Sequence, residues 1–208
     1  GINTPERSEC WAAEARAATA AFVEGAELEI AEGGRDQFGR LLAYVVADGE
    51  LVGLRLAAAG HATAIATDHP FLDEYLTAEE TAYRAGIGLW AADACGPAAD
   101  GDIRIDELVA DPRGRDDDPD EGEYIRLRNA GNTPVDLAGW TLRDESSVHR
   151  YEFPPGTGLE PGETVTVRSV CGVAVHCFGP ETVWSNGGDS ALLLDPAGNV
   201  VDRLRHRG

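Results

Sequence analysis

Apolar positions change period along this chain. Trp11, Ala15, Ala18 and Phe22 recur three or four residues apart and Gly25 follows as a stop, which predicts a helix. Leu28 and Ile30 alternate as in a short strand. A Gly-rich turn spans Glu32 to Arg40, and Leu41 to Val46 reads as a second strand ending at Asp48-Gly49. Val52 to Ala59 and Phe71 to Ala85 read as helices closed by Gly60 and Gly86. At Asp93 to Asp102 (DACGPAADGD) small residues, Gly, Pro and charge interrupt both flanking patterns, as a linker does. Beyond it lie short strands with turn signals roughly every 8–12 residues: Ile103–Val109, Glu123–Asn129, Trp140–Asp144, Thr164–Val170, Ala191–Asp195 and Val200–Leu204. That spacing predicts a β-sandwich. The expected organisation is an α+β domain over 1–95, a linker over 96–102 and an all-β domain over 103–208.

Composition sharpens this picture. The 208 residues, 43% of them hydrophobic, suffice for two compact domains and exclude a disordered tail, a collagen-like fibre or a coiled coil. No apolar run approaches the roughly 20 residues of a membrane span. Gly1 reads as the interior of a longer chain. There are 37 acidic residues against 17 basic ones, a net charge of −20, and every basic residue is Arg. The excess is spread over both halves. Such a coat repels a polyanion at low salt, which argues against a non-specific nucleic-acid coat protein. Salt screens that repulsion, with a Debye length of about 3 Å at 1 M, so a halophilic source is expected. A high-GC bacterium also accounts for Arg in place of Lys.

Four cysteines fall two per half, Cys10 and Cys95, then Cys171 and Cys177, with no CxxC pair. An even count of this kind reads as disulfides formed in an oxidising compartment, with three pairings open. Pairing within halves is the economical choice. In the chain-entropy model, Cys10–Cys95 stabilises by roughly 4–5 kcal/mol and Cys171–Cys177 by roughly 2 kcal/mol. Four buried thiols, or a zinc site using His176 beside Cys177, are the alternatives. The expected location is extracellular or at the cell surface.

Three clusters carry chemistry in the first half: Asn3-Thr4-Pro5-Glu6, then Asp36-Gln37-Phe38-Gly39-Arg40 leading into Leu41-Leu42-Ala43-Tyr44, and Gly86-Ile87-Gly88-Leu89-Trp90. In order and spacing, over residues 1 to about 90, they resemble the staphylococcal (micrococcal) nuclease family, also called thermonuclease-like. The resemblance implies an OB-fold enzyme that hydrolyses DNA and RNA phosphodiesters with Ca²⁺. It implies that Glu6 is, or positions, the general base and that Arg40 contacts the phosphate, where a planar guanidinium matches two oxygens. It also implies that the Thr4 carbonyl helps hold Ca²⁺, a hard ion that takes oxygen ligands. Asn3 stands where the family usually has a Ca²⁺-binding Asp, so it offers oxygen without charge. The stretch Ala64 to Asp68 lacks the two Tyr that line the nucleotide pocket in the type enzyme. The first three barrel strands have no counterpart, so an incomplete OB-fold with three helices is expected, truncated at its N-terminus and inactive alone.

In the second half, four groups of residues resemble the lamin-tail domain: Glu123-Tyr124-Ile125 with Arg128-Asn129, Val135 to Leu142, Phe153-Pro154-Pro155-Gly156 with Leu159-Glu160-Pro161-Gly162, and Val183 to Asp189. That resemblance implies an immunoglobulin-like sandwich, a module often appended to secreted nucleases, whose ligand here is unknown. Trp140 and Trp184 are expected in the core. The acidic run Asp116, Asp117, Asp118, Asp120 and Glu121 reads as a solvated loop, with a Ca²⁺ site as its alternative. Gly187-Gly188 reads as a turn. The leading expectation is the C-terminal portion of a secreted Ca²⁺-dependent nuclease acting on nucleic acid, tethered or targeted by its lamin-tail domain. The alternative is a non-catalytic cell-surface or nucleic-acid-binding protein on a degenerate nuclease scaffold.

Overall fold

A computed structural model describes residues 1–35, 39–146 and 148–208. Two compact units emerge from its internal contacts, one of residues 1–65 and 69–94, the other of 66–68 and 95–208.

In the first unit the chain begins with β1 (Ile2–Asn3) and passes into α1 (Ala12–Val23). The helix falls where Trp11 to Phe22 predicted it. Trp11 sits just before it with φ 68°, held by its indole N–H donating to His61 Nδ1 at 3.0 Å. β2 (Leu28–Arg35), β3 (Leu41–Ala47) and β4 (Glu50–Leu51) form an antiparallel three-stranded sheet. β2 is longer than the Leu28/Ile30 alternation suggested. It continues through the glycines by means of an irregularity between Glu32 and Gly34, which absorbs the break in period. Asp48 (φ 50°) and Gly49 (φ 81°) both take left-handed backbone, which matches the right-handed twist of the strands they join. α2 (Val52–Ala58), β5 (Thr63–Ala64), α3 (Leu72–Ala85) and a 3₁₀ turn (Gly88–Trp90) complete the unit.

β5 pairs antiparallel with β1, setting Asn3 opposite Thr63. The two sheets stay open, as expected for an incomplete barrel, and Leu28, Ile30, Leu41 and Leu42 are exposed. The core lies elsewhere. Val52 and Leu56 of α2 pack with Ala47 and Ala62 against Ala18 and Phe22 of α1, while Tyr75 and Leu76 of α3 pack with Ala64. Gly60 and Gly88 let two backbones touch: Leu89 N–H donates to Gly60 O at 2.8 Å, and a Cβ on either glycine would strike the other segment's backbone. The last motif of the first half therefore closes the unit by backbone approach.

The second unit is an all-β sandwich of β6 (Ile103–Val109), β7 (Tyr124–Asn129), β8 (Val135–Asp136), β9 (Thr141–Arg143), β10 (Arg150–Glu152), β11 (Gly158–Leu159), β12 (Thr164–Val170), β13 (Cys177–Gly179), β14 (Asp189–Leu194) and β15 (Val200–His206). One sheet has the order β13-β12-β7-β6, the other β10-β9-β14-β15, and β8 pairs with β11. β13 runs parallel to β12, and the other pairings are antiparallel. Ile103, Ile125, Leu127, Leu142, Val167 and Leu193 fill the space between the sheets. Trp140 and Trp184 join them at 2% and 3% exposure, as core aromatics. β14 departs from simple alternation. All six of its residues are buried, because it lies between β9 and β15.

Residues 95–99, at the linker-like stretch, are hydrogen-bonded to the turn between β14 and β15. Asn199 Oδ1 accepts from Cys95 N–H at 2.7 Å and Asp195 Oδ2 from Ala99 N–H at 3.0 Å. Cys171 and Cys177 form a disulfide, Cys10 and Cys95 are each disulfide-bonded, and no cysteine is free.

Candidate functional site

The Asn3-Thr4-Pro5-Glu6 motif is placed by two local devices. Asn3 is fixed by the β1–β5 pairing, its carbonyl accepting from Thr63 Oγ1 at 3.3 Å. Three residues later the chain is tied by a reciprocal turn. Glu9 N–H donates to Glu6 O at 2.8 Å, and Glu6 N–H donates to Glu9 Oε2 at 2.8 Å. The first is a backbone turn bond, and the second is the side-chain-to-backbone half of a capping box. Together they fix the Glu6 backbone while leaving its carboxylate exposed. Sequence reading passed over Glu9, although its i+3 spacing from Glu6 was the available signal.

Beside Glu6 lies a groove of about 470 Å³ whose lining includes Thr4, Glu6, Arg7, Ala15, Arg16 and Thr19. Thr4 and Glu6 of the expected site are thus brought together on one concavity. Arg40 is not among the residues lining it. It is exposed just ahead of β3, near the turn where Arg35 Nη1 donates to Gly39 O at 2.7 Å. Asp36, Gln37 and Phe38 of the same motif lie outside the described residues. Arg7 and Arg16, absent from the sequence reading, contribute the groove's positive charge.

Asn3, Thr4 and Glu6 offer only oxygen donors, which suits a hard cation in kind. In number they fall short: Glu6 is the single carboxylate, against the roughly 6–8 oxygens Ca²⁺ takes. Among the described residues, no group of three His, Cys, Asp or Glu side chains could hold a metal. These residues alone do not make a Ca²⁺ site.

In the second unit the acidic run satisfies itself. Asp118 Oδ1 accepts from Asp120 and Glu121 N–H, both at 2.9 Å, and these backbone bonds, that of Glu121 foremost, pull its carboxyl below the usual range. Asp117 takes two guanidinium bonds from Arg115, at 2.9 and 2.7 Å, which lower its pKa, and Asp116 Oδ2 accepts from Asn186 Nδ2 at 2.9 Å. The run is a bonded surface loop. Gly188 N–H donates to Ser185 O at 3.1 Å, so Gly187-Gly188 is a turn.

Three histidines have structural partners. Burial lowers the pKa of His61, which keeps Nδ1 available to accept from Trp11. His176 Nδ1 lies 2.6 Å from the Tyr151 hydroxyl, and His149 Nδ1 lies 2.8 Å from Asp144 Oδ2. No helix among the described residues is long and apolar enough to cross a membrane.

Comparison with protein families bears on both units. Residues 96–207 match the family model described as Lamin Tail Domain, and residues 1–92 match the one described as Staphylococcal nuclease homologue.

Proposed function

Because the chain belongs to the lamin tail domain family and carries a staphylococcal nuclease-like region ahead of that domain, we propose that it serves as a secreted or cell-surface nuclease, with the lamin-tail domain tethering or targeting it. The observation that carries this reading is the groove that holds Glu6 with Thr4 in the nuclease-like region. In the proposed reaction Glu6 takes a proton from water as the water oxygen attacks phosphorus. The bond to the 5′ oxygen breaks, that oxygen gains a proton, and a 3′-phosphate end remains, as the family resemblance implies. Arg40 faces the phosphate as its charge builds, where a guanidinium gives two parallel hydrogen bonds. Thr4 lines the same groove, and Asn3 precedes it in the chain. Calcium dependence is part of the proposal on the strength of the family match and is read by chelation. The oxidised cysteines favour an oxidising compartment, and the acidic surface suits a salty one.

The test is release of acid-soluble nucleotides by the full-length protein, with and without a calcium chelator. Glu6→Gln and Arg40→Ala should each lower the rate at least about 100-fold, the scale of losing a general base or a charge-stabilising donor. Unchanged release in both variants refutes the assigned roles. The position of Arg40 outside the Glu6 groove favours a second reading, a non-catalytic nucleic-acid-binding module. Binding without any cleavage, with or without calcium, selects that reading.

A further inference from the structure

The groove beside Glu6 carries two arginines, Arg7 and Arg16, that take no part in the proposed reaction. Its floor is one face of α1. Ala12, Arg16 and Ala20 stand four residues apart, and Ala15 and Thr19 fill the positions between, so these five side chains share one side of the helix. The alanines leave the concavity open, and Thr19 turns its hydroxyl back to Ala15 O at 2.8 Å. The wall is the segment from Thr4 to Arg7.

Five arginines sit against carboxylates: Arg55 with Glu50, Arg84 with Glu80, Arg104 with Asp102, Arg115 with Asp117 and Arg126 with Glu107. Arg7 and Arg16 have no such partner among the described residues. The chain as a whole carries 37 acidic residues against 17 basic ones. On the groove's lining two guanidinium groups stand against the single Glu6 carboxylate, which reverses the local charge. Each keeps its planar fork of donors for a bound anion, and phosphate matches that fork bidentately. The volume fits one small-molecule-sized segment, so a single strand suits it better than a duplex.

We propose that Arg7 and Arg16 form a subsite for backbone phosphates of a single polynucleotide strand, flanking the phosphate presented to Glu6. The inference rests on the nuclease reading and extends it to how an acidic protein holds a polyanion. Local attraction from two guanidinium groups offsets the general repulsion. High salt weakens both, so the subsite's share of binding is read in the salt dependence.

The experiment measures fluorescence anisotropy of a labelled single-stranded oligonucleotide with the full-length protein carrying Glu6→Gln, over a range of salt concentrations. Adding Arg7→Gln or Arg16→Gln should lower the slope of log affinity against log salt by about 0.7 each, and by about 1.4 together. Arg7→Lys and Arg16→Lys should keep the slope, because each preserves the charge. A loss of fold in the Gln variants would appear as a lowered melting temperature, and the Lys variants then carry the comparison. An unchanged slope in the double Gln variant, with binding retained, overturns the inference and leaves the nuclease reading standing. Inorganic phosphate competing as strongly as the oligonucleotide also overturns it, since that describes a single-anion hole. No oligonucleotide binding together with no nucleotide release by the wild type removes both readings.

Discussion

Glu123 is 1% exposed just ahead of β7, and its Oε2 accepts from Val183 N–H at 2.9 Å and Trp184 N–H at 3.1 Å. Both of those residues are buried, and Trp184 packs edge-on to Phe178 with ring centroids 5.6 Å apart. One carboxylate oxygen thus pins a segment 60 residues away and seats an indole in the sandwich core. Glu123→Ala removes the acceptor and leaves two buried N–H groups unpaired. At about 1–3 kcal/mol for each orphan, the expected loss is about 2–6 kcal/mol. Glu123→Gln keeps one amide oxygen able to accept from both donors and loses only the charge assistance, so about 1–2 kcal/mol is expected. The assay is urea denaturation of the two variants, with hydrogen exchange at the Val183 and Trp184 amides as the local readout. In the Ala variant those amides should exchange roughly 30-fold faster or more, since about 1.4 kcal/mol is tenfold. Equal destabilisation by Ala and Gln, or unchanged exchange in the Ala variant, refutes the assignment of acceptor geometry as the cause.

Two further perturbations test the physical account. Burial lifts the Asp189 carboxyl to about 6, with Asp144 adding to the effect, against about 3.9 in an unfolded chain. Its folded pKa is raised, so the stability it contributes is full below about pH 3.9 and is lost as pH rises through about 6, a swing of about 3 kcal/mol. The second unit should therefore gain about 1.3 kcal/mol, a little under half of this swing, on acidification from pH 7 to 5, read by the urea midpoint, and Asp189→Asn should remove that gain; an identical pH profile in that variant contradicts the argument. Gly88 takes φ 66°, and an added Cβ would meet the Gly60 carbonyl. Gly88→Ala should cost the first unit at least about 2 kcal/mol, from left-handed strain plus the Leu89–Gly60 hydrogen bond, read by thermal unfolding. An unchanged midpoint would show that the backbones separate freely.

The sequence made the longer elements readable because their periods are long enough to register. Residues 12–22, 41–46, 72–85, 103–109 and 164–170 each carry enough apolar positions to separate a helical period from a strand period. The β8, β10, β11 and β13 strands have two or three residues each, and two or three residues hold no period. They exist because neighbouring strands offer partners. The Gly-rich part of β2 was hidden for a related reason, since a strand irregularity breaks the alternation that announces a strand.

The candidate site divides in the same way. Sequence order supplied Asn3, Thr4, Glu6 and Arg40 as residues of the right chemistry. Only tertiary structure put Arg7 and Arg16 on the Glu6 groove and set Arg40 outside its lining. Only it turned Glu123, Asn129 and Asp195 from surface-looking polar residues into buried anchors: Asn129 Nδ2 donates to Thr133 O and Leu159 O, at 2.8 and 2.9 Å. Local pattern determined which segments coil or extend, because backbone geometry and apolar burial act over neighbouring residues. Which polar groups became anchors and which stayed free for a ligand was decided by distant segments, because an acceptor's worth depends on which donors the folded chain brings to it.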